Sequence, residues 1–386
     1  MAFSKENRKG TISGIIFVAI FAAAATSVAQ ISFIHNLGIS PLVIGIVLGI
    51  FYANTLHQHI PSAWGTGITF SGKKILRFAI VVYGFRITFQ QIMDVGLSGF
   101  TVSVIMLSTT FLLGTYLGVK AFKMDRDTSM LTAAGGAVCG AAAVLATEPV
   151  LKAEGYKTAV AVSMVVLFGT ISMFLYPVLY ASIIEPATGF LHMTPEQFGI
   201  YTGGTIHEVA QVVAVPASIP SVTIHDVIAG ANGVALSPAQ LHTQMANSAV
   251  IVKMTRVILI APMLIVLGIY LSMQAKKSGN SGDKLQLVIP WFAVYFIGVA
   301  GLNSLIEIYL SGTAQSTADS VHHIIQHFIN PIDTFLLTMA MTALGMGTIF
   351  SKFKGLGLAP IYTAGSMFIW LVVGGFVVTK LVTAVL

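Results

Sequence analysis

The sequence predicts an all-α polytopic membrane protein with about 10–11 membrane helices, two inverted repeats and two broken helices that meet near the midplane. The first observation is composition: 55% of residues are hydrophobic, 9% are charged and the mean hydropathy is +0.87. Soluble domains carry about 25% charged residues, so this composition does not suit a water-soluble surface. The second observation is that the apolar runs are continuous and helix-length. The third is a pair of similar glycine-containing segments within those runs.

Nine apolar runs have the length of membrane spans. They lie near residues 12–33, 41–56, 74–92, 98–119, 158–183, 243–272, 286–310, 333–350 and 358–384. Two further segments, 128–151 and 195–216, contain glycine pairs and are read as broken helices. The basic start of the chain precedes a run too long for a signal peptide, so we expect a signal-anchor first helix. No connection is long enough for a soluble domain, and residues 1–386 are predicted to form a single membrane transporter domain.

The distribution of Lys and Arg predicts the orientation of the chain. Lys5, Arg8 and Lys9 place the N-terminus in the cytoplasm by the positive-inside rule. Basic residues flank segment 128–151 on both sides, and none flanks segment 195–216. We therefore expect the first segment to enter the membrane from the cytoplasm and the second from outside, as inverted copies. The alternative is that each segment crosses the membrane fully as a kinked helix.

The two glycine segments resemble each other at matched positions. GGAVCGAAAVLATEP occupies 135–149 and GGTIHEVAQVVAVPA occupies 203–217. Backbone polar groups cannot stay unsatisfied in hydrocarbon, so glycine pairs at this depth predict helix breaks lined by protein, water or ligand. The second halves, expected to begin near Gly140 and Glu208, would point positive N-terminal ends at an anion. The alternative is that the glycines only permit close helix packing.

His207, Glu208 and Gln211 form the strongest polar cluster. His207 and Gln211 are four residues apart and share a helix face. Ionisable groups at membrane depth are costly and mark function, and a histidine beside a carboxylate suits a proton relay. The alternative is that Glu208 caps a helix at the interface and that His207 is a satisfied core residue. The spacing of histidine and cysteine does not predict a zinc site.

Other residues of the two segments are open to two interpretations. Glu148 is either a ligand for a coupling ion or an interfacial residue paired with a nearby lysine. Cys139 occupies the position equivalent to His207, and it either lines the cavity or packs inertly. Residues 127–128 and 194–196 have the signatures of N-caps for the first half of each segment.

Two cations lie inside a later apolar run. Lys253 and Arg256 are three residues apart and share a helix face, about two turns beyond Asn247. Cations inside a span need an anionic partner, which is either Glu208 or the substrate. The alternative is that both side chains snorkel to the surface. Two further arginines are ambiguous in the same way: Arg77 and Arg86.

The sequence argues against several other classes of function. One cysteine excludes an internal disulfide, and the net charge of +6 reflects basic membrane loops rather than a nucleic-acid surface. No Walker or Rossmann motif is present, so the sequence supports neither an ATP-driven pump nor an enzyme. No cofactor is expected beyond a coupling H⁺ or Na⁺.

Four motifs carry a family resemblance that covers nearly the whole chain. They are LRFAIVVYGFRITF at 76–89, CGAAAVLATEPV at 139–150, HEVAQVV at 207–213 and VKMTRVILIAP at 252–262. On these motifs the chain resembles the bacterial YeiH-type family, whose members are described as sulfate exporters. The resemblance implies an inner-membrane transporter of bacterial origin with two inverted bundles and broken helices.

Together these observations predict a secondary active transporter of a small inorganic or organic anion, with sulfate or sulfite as the first expectation. His207, Glu208 and Glu148 are the predicted ion-coupling residues. The predicted substrate-binding residues are Gly135, Gly136, Cys139, Gly140, Gly203, Gly204, Thr205, His207, Gln211, Asn247, Lys253 and Arg256. The alternatives are a sodium/proton antiporter that uses Glu208 and Glu148, and an anion channel. We expect a multi-pass protein of the bacterial inner (cytoplasmic) membrane, surrounded by lipid; the sequence leaves a homodimer open.

Overall fold

All regular elements but one are helical. The computed structural model describes residues 7–32, 34, 40–56, 61–228, 230, 235–277, 291–311, 320–321, 323–349, 351 and 357–386. Within these ranges the exception is an isolated bridge at Ala235. Seven of the described helices are long and apolar enough to cross a membrane. The chain is therefore an all-α polytopic membrane protein, as its composition predicts.

The described helices are numbered in chain order. They are α1 (Arg8–Ala29), α2 (Pro41–Thr55), α3 (Gly65–Phe70), α4 (Leu76–Tyr83), α5 (Phe89–Tyr116), α6 (Arg126–Ala137), α7 (Ala141–Leu151), α8 (Gly155–Leu179), α9 (Pro195–Thr205), α10 (Val209–Ala217), α11 (Pro238–Ile258), α12 (Ile260–Lys277), α13 (Trp291–Ser311), α14 (Asn330–Gly347), α15 (Leu358–Ile369) and α16 (Gly375–Val385). Single π-helical turns extend or join several of them, for example Leu117–Ala121 at the end of α5.

One predicted boundary between spans is wrong. The sequence places a single span over 74–92 and starts the next near residue 98. In the structure α4 continues through a 3-10 turn, Gly84–Arg86, and Ile87 is extended with φ −124° and ψ 140°. The next helix, α5, already begins at Phe89. The turn lies inside the run 74–92 that hydropathy joins into a single span, so hydropathy alone does not reveal it.

The chain divides into two compact units. The first comprises Met1–Asp94, Val213–Asn247 and Phe292–Ser351; the second comprises Val95–Val212, Ser248–Trp291 and Lys352–Leu386. The assignment of residues 1–386 to one transporter domain stays a prediction, as does the direction in which each broken segment enters the membrane.

In the first unit, α2 and α14 pack with their backbones in close contact. A Cβ added at Gly49 would lie 2.3 Å from the carbonyl oxygen of Thr342, and one at Gly345 would lie 2.3 Å from that of Ile46. Gly45 and Gly49 form the GxxxG spacing that lets membrane helices approach closely. This helix pair therefore depends on small residues rather than on large apolar side chains.

In the second unit, α6, α7 and α8 pack around a small apolar core. Leu131, Val144, Ala161 and Val165 form this cluster, and all four are almost fully buried. The cluster joins the two halves of the first glycine segment to the long helix α8. It thereby holds the break between α6 and α7 in a fixed place.

Candidate functional site

Both glycine segments consist of two helices separated by three residues. The first pair is α6 and α7 with residues 138–140 between them, and the second is α9 and α10 with residues 206–208 between them. The predicted breaks are therefore confirmed, and the second halves start at Ala141 and Val209, next to the expected positions. Gly140 has φ +77°, a conformation that residues with a side chain rarely adopt.

The glycine pairs do not themselves form the breaks, and that prediction is wrong. Gly135 and Gly136 lie in the last turn of α6, and Gly203 and Gly204 lie in the last turn of α9. A Cβ at Gly203 would lie 2.3 Å from the carbonyl oxygen of Ala249, and Cβ atoms at the other three would come within 2.4–2.8 Å of side-chain atoms. Close packing, the alternative reading, explains these four glycines.

The N-cap prediction is right for one segment and wrong for the other. Thr194 caps α9 in a capping box with Gln197. For α6 the cap is Asp125, whose carboxylate accepts the Thr128 N–H at 3.1 Å. Asp127 instead lies 2.9 Å from the ammonium of Lys157.

Lys253 joins the two breaks. Its Nζ donates to the carbonyl oxygens of Val138 at 2.7 Å, Ile206 at 2.7 Å and His207 at 2.6 Å. The side chain is fully buried. Three acceptors at these distances require three N–H donors, which only the protonated ammonium supplies. The cation therefore balances the negative carbonyl ends at both breaks.

Arg256 makes the same kind of contact one helix turn further along. Its Nε donates to the carbonyl of Ala137 at 3.1 Å, and its guanidinium reaches the carbonyls of Gly204 at 2.6 Å and Gly136 at 3.2 Å. A further bond from this guanidinium goes to Ala137. Arg256 is also fully buried. Both cations therefore neutralise the C-terminal ends of α6 and α9, and their pairing with Glu208 or direct binding of the substrate stays a prediction.

Glu208 lies at the N-terminal end of α7, although it belongs to the other segment. Its Oε1 is 3.5 Å from the backbone N–H of Ala141. A Cβ at Gly140 would lie 2.5 Å from Glu208 Cγ, so the carboxyl group packs directly against that glycine. The side chain is half-buried. A carboxylate thus occupies a position where the helix dipole favours negative charge.

His207 and Gln211 present buried polar atoms without hydrogen-bond partners among the described residues. These atoms are His207 Nδ1 and Gln211 Nε2, and the two residues are 3% and 0% exposed. Gln211 Oε1 accepts the backbone N–H of Glu208 at 3.1 Å, which fixes the amide at the start of α10. Buried polar atoms of native proteins are nearly always satisfied, so these two indicate a water or a polar ligand at this place.

Three other predicted residues have different surroundings. Cys139 is buried within the first break, as expected for its position. Thr205 Oγ1 donates to the Tyr201 carbonyl at 2.6 Å and accepts the hydroxyl proton of Tyr176 at 2.9 Å. These bonds lie within α9 and between α9 and α8. Glu148 lies on α7 eight residues after Gly140, about 12 Å along the helix. The structure does not bring Glu148 to the break.

Asn247 belongs to a separate polar cluster, in the first unit. It contacts Tyr83 Oη at 3.3 Å and donates to the Arg86 carbonyl at 3.4 Å. Its placement with the residues of the breaks is therefore not confirmed. Arg86 in turn pairs with Asp333 at 2.9 Å, and the Asp333 side chain is fully buried.

Asp333 is the polar residue that sequence reasoning missed. It lies in the first turn of α14, and its partner Arg86 also donates to Thr334 Oγ1 at 2.8 Å. The available signal was a carboxylate at the very start of an apolar span, a position that is easily taken for an interfacial residue. Among the described residues, no three His, Cys, Asp or Glu side chains are grouped so that they could hold a metal ion.

Comparison with known proteins finds relatives over almost the entire chain. The family described as Conserved hypothetical protein 698 matches residues 13–364. A UPF0324 membrane protein of Bacteroides thetaiotaomicron is 42% identical over 373 residues, covering 96% of this chain and 98% of the relative. The UPF0324 inner membrane protein YeiH of Escherichia coli strain K12 is 41% identical over 378 residues, covering 97% of this chain and 95% of the relative.

Proposed function

Because the chain belongs to the UPF0324 membrane protein family that includes YeiH, and because it carries two helix breaks tied together by buried cations, we propose that it is a secondary transporter of a small anion. The resemblance to the YeiH-type family is thereby confirmed. The names of these relatives specify a membrane protein and no substrate. The proposed activity therefore depends on the chemistry of the breaks.

The proposal rests mainly on a difference in charge between the helix ends at the breaks. Lys253 and Arg256 neutralise the C-terminal carbonyls of α6 and α9. The N-terminal ends of α7 and α10 keep their partial positive charge of about half a unit each, which favours an anion. The unpartnered Nε2 of Gln211 is an amide donor next to these ends, as an oxyanion requires.

Glu208 gives the proposed site a means of coupling to protons. Its carboxylate lies at the N-terminal end of α7, where the proposed anion would bind. Two negative groups at one helix end repel each other, so protonation of Glu208 favours binding of the anion. His207, whose backbone carbonyl bonds Lys253, lies beside this carboxylate and is the proposed relay. Glu148 is not needed in this scheme.

The same contacts disfavour the sodium/proton antiporter. A sodium ion at the breaks would need oxygen ligands, and the carbonyls of Val138, Ile206 and His207 already accept bonds from Lys253. A fixed ammonium at this place also repels a second cation. We therefore propose H⁺ rather than Na⁺ as the coupling ion, and transport without chemical conversion of the substrate.

The proposed substrate class is a small oxyanion, with sulfate and sulfite tested first. The relative in Escherichia coli is described as an inner membrane protein, and we propose the bacterial inner membrane for this chain. The basic residues at the start of the chain, Lys5, Arg8 and Lys9, support a cytoplasmic N-terminus.

The test is uptake of labelled sulfate and sulfite by proteoliposomes that contain the purified full-length chain. We expect saturable flux that a proton gradient drives, and at least about a tenfold loss for Gln211→Met, which keeps the volume and removes the donor. Gln240→Met, at an exposed position, is the matched control. Flux that rises linearly with concentration would indicate a channel. Sodium-driven flux without an anion would indicate an antiporter, and a chemically altered product would indicate an enzyme.

A further inference from the structure

An apolar groove of about 810 Å³ lies in the second unit. Faces of α5 and α12 line most of it, and Arg126 and Met130 of α6 also contribute. On α5 the lining residues recur every three or four positions, from Val104 through Leu107 and Phe111 to Tyr116. On α12 they recur in the same way, at Met263, Val266 and Tyr270. Residues at this spacing share one side of a helix, so two apolar faces form the walls.

A proline interrupts the helix that lines one side of the groove. Pro262 lacks a backbone N–H and its ring clashes with the carbonyl four residues earlier, at Ile258. The helix is interrupted at Leu259, between α11 and α12, as this clash requires. Leu259 and Pro262 both line the groove, so the interruption lies in its wall.

The two ends of the groove differ in charge. Lys120 and Arg126 line one end, and both are exposed. Arg126 Cζ lies 5.6 Å from the ring centroid of Tyr270, a cation–π contact that uses the charge of the guanidinium and not its N–H donors. Tyr116 also lines the groove and is 64% exposed. Tyrosines beside basic residues are typical of the headgroup level of a membrane.

The distance between the ends matches one lipid leaflet. Val104 and Lys120 are sixteen residues apart on a helical segment, which corresponds to about 24 Å. Half of the hydrocarbon core is about 15 Å, so the groove spans one leaflet together with its headgroup region. Thr115 Oγ1, inside the groove below the basic end, is buried and has no partner among the described residues.

We propose that this groove binds one anionic phospholipid, with its acyl chains between α5 and α12 and its phosphate at Lys120 and Arg126. Charge complementarity decides the occupant: a zwitterionic lipid would satisfy the apolar walls equally well but would not match two cations at the headgroup level. The net negative charge of the headgroup is recognised at the basic end, because in a zwitterionic lipid the cation of the headgroup offsets the phosphate. The bilayer supplies the anionic headgroup attached to chains that fill the rest of the groove.

Native mass spectrometry of the detergent-purified full-length protein tests this, with added phosphatidylglycerol or phosphatidylcholine of identical chains. We expect wild type to retain one phosphatidylglycerol in preference to phosphatidylcholine. The double variant Lys120→Gln/Arg126→Gln should lower the apparent affinity for phosphatidylglycerol roughly ten- to thirtyfold and leave that for phosphatidylcholine unchanged. Val266→Trp, which fills the groove, should lower both.

Lys73→Gln/Lys74→Gln is the matched control, because it removes two exposed cations outside the groove and should leave lipid retention unchanged. Circular dichroism and a monodisperse elution profile establish that each variant is folded. Equal retention of the two lipids by wild type, or equal losses for the control, overturns the proposal. Competition by glycerol 3-phosphate at the same concentration as the lipid also overturns the proposal, because the acyl chains would then contribute nothing to binding. A shift from dimer to monomer for Val266→Trp with unchanged lipid retention would assign the groove to a second copy instead.

Discussion

Lys253 Nζ lies 2.7 Å from the carbonyl oxygen of Val138, inside the first helix break, and the side chain reaches this position from α11. A single ammonium therefore satisfies the backbone of one break while bonding two carbonyls of the other. This relationship explains how a chain can carry two interrupted helices in a membrane, where unsatisfied carbonyls are costly.

Replacing Lys253 by Met should destabilise the protein strongly. The variant keeps the length of the side chain but leaves three buried carbonyls without a donor, at about 1–3 kcal/mol each. We expect a loss of at least about 3 kcal/mol in the free energy of unfolding. Thermal unfolding in detergent, followed by intrinsic fluorescence, measures it. Lys74→Met, at an exposed position, is the control, and equal melting temperatures for the two variants would contradict the role assigned to Lys253.

The glycines of the two segments should be intolerant of a methyl group for steric reasons. Gly203→Ala would place Cβ 2.3 Å from the backbone oxygen of Ala249, which cannot move aside as a flexible side chain can. We expect a loss of about 1–3 kcal/mol in stability. Gly96→Ala, within α5 at a position where an added Cβ meets nothing within 4 Å, should instead stabilise by up to about 1 kcal/mol. A tolerated Gly203→Ala would show that the helices are less tightly packed than this contact requires.

The effects of replacing Arg86 and Asp333, the ion pair of the first unit, on stability should not be additive. Asp333→Leu and Arg86→Met each leave one charge of the pair without its partner, and for each we expect a loss of up to about 3–5 kcal/mol in the free energy of unfolding. The double variant Arg86→Met/Asp333→Leu removes both charges and should recover most of that stability. A double-mutant cycle by thermal unfolding measures the coupling. Additive losses in the cycle would mean that the pair does not interact energetically.

Acid stability should depend on the N-cap of α6. Burial raises the pKa of Asp125, but hydrogen bonds from Thr128 and Lys157 outweigh this and hold the pKa below its ordinary value. A depressed folded-state pKa contributes stability above the unfolded pKa, about 3.9, and that contribution is lost as the pH falls through the lower folded value.

The variants Asp125→Asn and Asp125→Ala separate charge from capping. Both should flatten the loss of stability below about pH 4, because neither carries the carboxylate. At neutral pH both should lose the contribution of the carboxylate, and Asp125→Ala should lose about 1 kcal/mol more than Asp125→Asn, since Asn remains a good N-cap. Melting temperatures recorded against pH give both quantities. An unchanged acid limb in Asp125→Asn would contradict the assigned cause.

The positions of the helix breaks could be predicted from sequence. Restarts were expected near Gly140 and Glu208, and the second halves begin one residue later in each case. Matched polar residues and glycines in an apolar chain are a local signal, and helix restarts are local events. The role of the glycines was not predictable, because it depends on partners such as Ala249 that come from distant parts of the chain.

The role of Lys253 and Arg256 could have been deduced and was not. The helix dipole argument that predicts anions at N-terminal ends also predicts cations at C-terminal ends. With the dipole considered at the N-terminal ends alone, only Glu208 or the substrate remains as a partner for the two side chains. Asn247 shows a different limit of sequence-based prediction. Its position about two turns before Lys253 does not reveal which residues from other helices its side chain contacts. It bonds Tyr83, which is far away in sequence.

The carboxylate of Glu208 lies at the N-terminal end of α7. The central claim is that an anion and the ionised Glu208 compete for this helix end. The most direct measurement is the stabilisation of the protein by sulfate, which stays fully ionised between about pH 8 and about pH 5, for wild type, Glu208→Gln and Glu148→Gln over that range. We predict that the affinity of wild type and Glu148→Gln rises as the pH falls. Glu208→Gln should bind about tenfold more tightly than wild type at high pH and show no dependence on pH. A Glu208→Gln variant that retains the pH dependence of wild type would contradict the claim.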